Sequence, residues 1–96
     1  MKILAIEKEL PGVTDEDYAP FLKKEARKAW ELQQKGIIRE MYFTDDHLAV
    51  LILEAEDKEQ ARTILTSLPL VKEKLIDFDL FVLNAYSGFA RLFQEG

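Results

Sequence analysis

The sequence predicts an α+β fold of ferredoxin-like type, a four-stranded antiparallel sheet with two helices on one face. Three observations predict it. Short apolar, β-branched runs are interleaved with two stretches of helical periodicity. Their order is strand-helix-strand-strand-helix-strand, the split βαβ arrangement. The chain has 96 residues, 48% of them hydrophobic, which suits one small domain with a limited core. The domain is expected to span 1–96, with a core over 1–85 and a C-terminal tail over 86–96.

Each element has a local reason. Lys2 to Lys8 reads K-I-L-A-I-E-K, a short strand that Pro11-Gly12 ends. Thr14-Asp15-Glu16-Asp17 suits the positive end of a helix dipole. Pro20 would clash inside a helix begun at Asp15, so an irregular turn is expected from Thr14 to Tyr18 and a regular helix from Pro20 to Gln34. Gly36 is the natural stop. Ile37 to Phe43 and His47 to Glu54 are strands paired as a hairpin across the turn Thr44-Asp45-Asp46. Asp57-Lys58-Glu59-Gln60 has the form of a capping box. The helix it opens lines up Ala61, Ile64, Leu65 and Leu68, and Pro69 is expected to end it. Lys72-Glu73-Lys74 is an exposed loop before the last strand, Ile76 to Leu83. The tail, with Tyr86, Phe89, Leu92 and Phe93 at helix-like spacing, is too aromatic for a solvated terminus and is expected to pack on its own domain or on a partner copy.

The strands do not alternate cleanly. In the third, Leu48, Val50 and Ile52 oppose Ala49, Leu51 and Leu53. In the fourth, Phe78, Leu80 and Val82 oppose Phe81 and Leu83. Helices cover one face only, so the second apolar face is expected to be buried by a second copy.

Composition excludes several classes of function. With no Cys and one His, there is no thiol chemistry, disulfide or clustered-ligand metal site. A net charge of -5 argues against a nucleic-acid partner. No apolar run is long enough for a membrane span of about 20 residues, and Lys2, Glu7, Lys8 and Glu9 break any signal-peptide core. A cytoplasmic location is the default expectation. Gly-rich phosphate loops, G-x-S-x-G and H-E-x-x-H are absent, and no cofactor site is visible.

The first helix carries the most informative residue. Tyr18, Phe21, Leu22, Ala26, Ala29, Leu32 and Gln33 fall on one stripe, and Glu25 falls in its middle. Lys23, Lys24, Arg27, Lys28, Glu31 and Lys35 lie opposite. A carboxylate turned toward a sheet is desolvated, which raises its pKa unless a cation answers it, and that is the profile of a proton-transfer group. The alternative is a structural Glu held in an ion pair. Arg39 shares strand parity with Ile37, Met41 and Phe43, and answers Glu25, clamps a substrate carboxylate, or is simply a strand-edge residue in solvent. Tyr42 has the other parity. His47 opens the third strand. Trp30, at the stripe's margin, is expected to pack. Glu7, Glu9, Asp77 and Asp79 read as solvated strand ends.

Lys24–Gly36, K-E-A-R-K-A-W-E-L-Q-Q-K-G, running on into I-I-R-E-M-Y, resembles the muconolactone isomerase family, as does S-L-P-L at 67–70 with the strand I-D-F-D-L. The similarity covers roughly Lys2 to Tyr86. It implies a ferredoxin-like protomer whose sheets associate into a dimeric α+β barrel, and a cofactor-free double-bond shift in an unsaturated lactone bearing a carboxylate. It also implies site roles for Glu25, Arg39 and His47; in the leading expectation Glu25 shuttles the proton, Arg39 holds a carboxylate, and Tyr42 or His47 assists. Two departures stand out: apolar Leu4-Ala5-Ile6 replaces a polar residue in the first strand, and the tail from Tyr86 differs. The leading expectation is a proton-transfer enzyme acting on a small unsaturated lactone or acid. Its rival is a non-catalytic homo-oligomeric domain that binds a small apolar ligand, or nothing, with Glu25 and Arg39 as an internal ion pair. An open pocket lined by both residues would favour the enzyme, and a filled core with the two bonded would favour the rival.

Overall fold

The computed structural model describes residues 1–94. Strands β1 (Lys2–Glu9), β2 (Ile38–Phe43), β3 (Ala49–Glu54) and β4 (Ile76–Leu83) form one antiparallel sheet in the order β2-β3-β1-β4. Ile3 stands opposite Leu53 and Val82, and Ala5 opposite Leu51 and Leu80, so alternate residues share one face. On that face Ile3, Ala5, Leu51, Leu53, Phe78 and Leu80 are buried beneath the helices. Ala29 and Leu32 of α2 (Leu22–Gln34), with Ala61 and Leu65 of α3 (Lys58–Thr66), complete the core. No helix among the described residues is long and apolar enough to cross a membrane.

The first helical region differs from expectation. Thr14 to Tyr18 is not irregular, because Asp15–Tyr18 forms one helical turn, α1. Asp17 closes it: its carboxylate accepts the Thr14 N–H at 2.8 Å, and its own N–H donates to the Thr14 carbonyl at 3.0 Å. Pro20 is absorbed by a 3₁₀ turn, Ala19–Phe21, so the regular helix begins at Leu22. Its end is a Schellman motif, with Gly36 at φ 75° and the Ile37 N–H donating to the Leu32 carbonyl at 3.0 Å. Trp30 lies beside the stripe rather than on it and is 62% exposed.

The second helical region also departs in detail. The Asp57 carboxylate accepts the Gln60 N–H at 2.7 Å, but the Gln60 side chain reaches back to the Glu56 N–H instead of the Asp57 N–H. Pro69 does not terminate α3, which stops at Thr66; it opens a further turn, α4 (Pro69–Lys72), where its missing N–H costs nothing. On β2 a bulge falls between Ile38 and Glu40, and β3 begins at Ala49 instead of His47.

The sheet's other face carries Phe81, 49% exposed, and Leu83, with half-buried Val50 and Ile52. The tail forms a 3₁₀ segment, Gly88–Phe93, in which Phe89 and Phe93 are 67% and 84% exposed. Its one close aromatic contact is Tyr86 edge-on to Phe89, with centroids 5.0 Å apart. The Cα radius of gyration is 16.2 Å, against about 12.5 Å for a compact chain of this length. The tail is therefore not folded back over its own sheet.

Candidate active site

At the end of the sheet where β1 finishes and β3 begins, the helices stand off the strands and leave a cavity of 680 Å³. Leu51, Leu68 and Phe78, all buried, line its depth. Ala26 and Ala29 of α2 form part of the helical wall, and the small size of these two side chains keeps the space open. The mouth lies between α1 and the β2–β3 turn, where Asp15, Asp46 and His47 are exposed.

Glu25 is brought in by the helical seam of α2. Its Oε1 accepts the Leu70 N–H at 2.9 Å. Leu70 is the second residue of α4, so its N–H has no partner within that turn and the carboxylate satisfies it. No ion pair to Glu25 exists among the described residues. Burial pushes its carboxyl above the usual carboxylate range, repulsion from Glu7 adds to this, and the Leu70 bond opposes it.

Glu7 faces the same cavity from the sheet side. The expectation of a solvated strand end is corrected here: Glu7 has the parity of Ile3 and Ala5, the buried face, and that signal was present in the sequence. Its Oε1 accepts the Ala49 N–H at 3.1 Å. Burial raises its pKa, repulsion from Glu9 adds, and the Ala49 bond opposes. Tyr18 of α1 also lines the cavity. Its phenol is raised by burial and then by the carboxylates of Glu7, Glu9, Asp15 and Asp17, so it remains a proton donor at neutral pH.

His47 lies at the mouth for a conformational reason. The Thr44 carbonyl accepts its N–H at 2.9 Å, and the turn then requires a left-handed residue, here His47 at φ 64°. Histidine is one of the non-glycine residues that adopt this region more readily, and Lys74, at φ 60° in the loop before β4, is the other described non-glycine residue in it.

Arg39 and Tyr42 are not brought to the cavity. Arg39 falls at the β2 bulge, which breaks the parity that would have grouped it with Met41 and Phe43. Its exposed guanidinium lies against Gly36. Glu54, held low first by the Met1 ammonium that bonds it at 2.7 Å, also feels the Arg39 charge. Tyr42 is exposed, opposite Val50, and its hydroxyl donates to Glu40 Oε1 at 2.8 Å. Asp77 and Asp79, read as solvated, pair with Arg62 and Lys8. The site is thus a largely apolar cavity holding two carboxyls whose pKa values burial raises, one on each wall, with a phenol and an imidazole nearer the opening.

Comparison with known proteins adds a lineage to this geometry. The family model for muconolactone delta-isomerase matches residues 5–87. The chain belongs to the muconolactone delta-isomerase family. That membership supports a muconolactone isomerase-like catalytic function. Among solved structures, the chain is similar to 5-chloro-2-hydroxyhydroquinone dehydrochlorinase from Burkholderia phenoliruptrix AC1100, solved in complex with 2,5-dihydroxybenzoquinone. The TM-score is 0.62 at 20% identity, over 92% of this chain and 98% of the other. This likeness establishes the shared α+β fold. No curated protein matches the chain.

Proposed function

We propose that this member of the muconolactone isomerase family is a cofactor-independent proton-transfer enzyme acting on a small unsaturated lactone or related acid, with Glu25 as the group that moves the proton. The observation that carries the reading is Glu25 itself: a half-buried carboxylate without a cation, aimed into an open cavity. As base, Glu25 takes a proton from the carbon next to the carbonyl, the electron pair spreads over the allylic system, and the Glu25 carboxyl, after exchange with solvent, delivers a proton to its far carbon. Atoms and electrons balance within the substrate, so the reaction calls for no electron carrier. Tyr18 and His47 stand where they can donate to the enolate oxygen. The cavity is open and lined by Glu25 but not by Arg39, so the criterion set for the enzyme is met for Glu25 alone, while the lack of a Glu25–Arg39 bond counts against the ion pair of the non-catalytic reading. The structural neighbour's complex with a dihydroxybenzoquinone is consistent with a small ring as ligand.

Self-association belongs to the same proposal. The apolar outer face, with Phe81, Leu83, Val50 and Ile52, is suited to a second copy packed sheet to sheet as a dimeric barrel, and the exposed aromatic tail is suited to lie on that partner.

The test is turnover of unsaturated lactones in D2O, followed by NMR for double-bond migration and deuterium uptake. Glu25→Gln is expected to lower turnover by about 10²–10⁴-fold, the usual contribution of acid–base catalysis. Wild-type rates in Glu25→Gln would remove Glu25 from the mechanism.

A further inference from the structure

We infer that Glu7 is the proton relay of the site, passing protons between the Glu25 carboxyl and the solvent at the cavity mouth. The inference rests on the reading of Glu25 as the proton-transfer group and specifies how that group exchanges its proton.

The two carboxyls face one cavity of 680 Å³ from opposite walls, Glu25 from α2 and Glu7 from β1. A backbone bond fixes each of them. The β1–β3 register ends at the Ile6–Val50 pair, and the next N–H on β3, that of Ala49, donates to Glu7 Oε1 at 3.1 Å. Glu7 is thereby held where the pairing of β3 with β1 stops. The Leu70 N–H holds Glu25 Oε1 at 2.9 Å. Neither Oε2 accepts a hydrogen bond among the described residues, so each carboxyl keeps one oxygen free to take and give a proton. Their depths suit a relay. Glu25 bonds a buried residue, Leu70, whereas Glu7 bonds Ala49, two residues from His47 at the mouth.

No cation pins either group in its ionised form. Glu9 of β1, Asp15 and Tyr18 of α1, and Asp46 and His47 of the β2–β3 turn complete the titratable lining, and no Lys or Arg lines the cavity among the described residues. Burial raises the pKa of both carboxyls, and the Glu7 charge raises that of Glu25 further, so their affinities for a proton move in the same direction. Transfer between groups of like affinity meets no steep uphill step. The cavity also leaves room for water beside a small lactone, with carboxyl oxygens to hold it. The proton taken from carbon leaves Glu25 Oε2 for Glu7 Oε2 through such a water, and Glu7 releases a proton to solvent at the mouth. The reverse passage loads Glu25 with a solvent proton. Each hop makes one O–H bond and breaks one, and no carbon bond or electron carrier takes part.

The experiment is turnover of an unsaturated γ-lactone acetic acid by the intact chain in D2O, with deuterium at the receiving carbon of the first product read by NMR. Wild type is expected to incorporate deuterium. Glu7→Gln keeps an acceptor for the Ala49 N–H but cannot pass a proton on. It is expected to lower the deuterium content of the product at least about twofold, because the substrate's own proton then returns from Glu25. Its rate is expected to stay well above that of Glu25→Gln. Glu7→Met, similar in size, gives the same readout if Glu7→Gln does not fold. A merely structural Glu7 would change the rate or the melting temperature and leave the origin of the proton untouched. Unchanged deuterium content in the folded variants, or wild-type product free of deuterium, overturns the relay and leaves Glu25 as the proton-transfer group. A Glu7→Gln rate as low as that of Glu25→Gln places Glu7 in the carbon–hydrogen step and also overturns it. A wild-type chain that moves no double bond removes the catalytic reading, and the relay with it.

Discussion

Replacing Glu25 by Gln separates a catalytic carboxyl from a structural one through stability alone, before any substrate is known. The carboxylate makes one charge-assisted bond, from the Leu70 N–H at 2.9 Å. Gln can present its carbonyl oxygen to the same N–H, so a bond to an ionised group, worth about 1.5–3 kcal/mol, becomes a neutral one worth about 0.5–1.5 kcal/mol. That loss of about 1 kcal/mol is opposed by removing a partly desolvated charge that Glu7 repels. With no cation left behind unpaired, the two effects nearly cancel, and Glu25→Gln should unfold within about 1 kcal/mol of wild type at pH 7. Glu25→Ala, which orphans the Leu70 N–H, should cost about 1–3 kcal/mol. The assay is urea unfolding at one protein concentration, with m-values compared so that a change in the denatured state or the assembly is recognised. The pH dependence has a definite sign. Burial raises the Glu25 pKa in the folded state above the ordinary carboxylate value of 4.5, so the unfolded chain releases this proton first as pH rises. The protonated folded group favours the native state below the unfolded value, and that advantage is lost as pH climbs through the raised one. Relative to wild type, Glu25→Gln should therefore look better at pH 7 than at pH 4. A loss of about 3–5 kcal/mol at pH 7, the signature of a broken buried ion pair, would refute the reasoning.

Four further outcomes are expected. If ionised Glu25 is the base, kcat/KM should fall on acidification through a midpoint above the ordinary carboxylate value of 4.5, and a midpoint at or below it would contradict the burial argument. Light scattering at micromolar concentration should give at least twice the chain mass of 11.1 kDa, and Phe81→Lys on the outer sheet face should move the protein toward the monomer. Deleting Gly88 to Gly96 should lower the melting temperature by several degrees or shrink the assembly, since each large apolar side chain it buries on a partner contributes about 1.5–3 kcal/mol; unchanged melting and size would show the tail to be idle. Arg39→Ala and Tyr42→Phe should each leave turnover near wild type and stability within about 0.5 kcal/mol, because both side chains sit on exposed edges away from the cavity.

What the sequence by itself determined is whatever depends on neighbours in the chain. Helical periodicity placed Glu25 inward on α2, and the structure finds it half-buried there. The apolar runs ordered the strands, and Gly36 stopped the helix through the left-handed turn that glycine adopts most easily. The same local logic could have found Glu7, whose parity matches Ile3 and Ala5, but the adjoining Lys8 and Glu9 disguised an inward residue as a solvated end. Pro69 was legible as a break and not as the start of a new turn, because proline marks where a helix cannot continue while the next element depends on what it packs against. Only the tertiary structure decided the site. The β2 bulge exists in the pairing of β2 with β3, and it alone moved Arg39 off the face that parity assigned it. Leu70 became a partner for Glu25 across 45 residues because α4 docks its unsatisfied N–H over α2. The cavity is likewise a property of distance between layers: small residues on α2 hold space open, and the charges that meet there come from β1, α1, α2 and the β2–β3 turn, segments that no local window of sequence sees together.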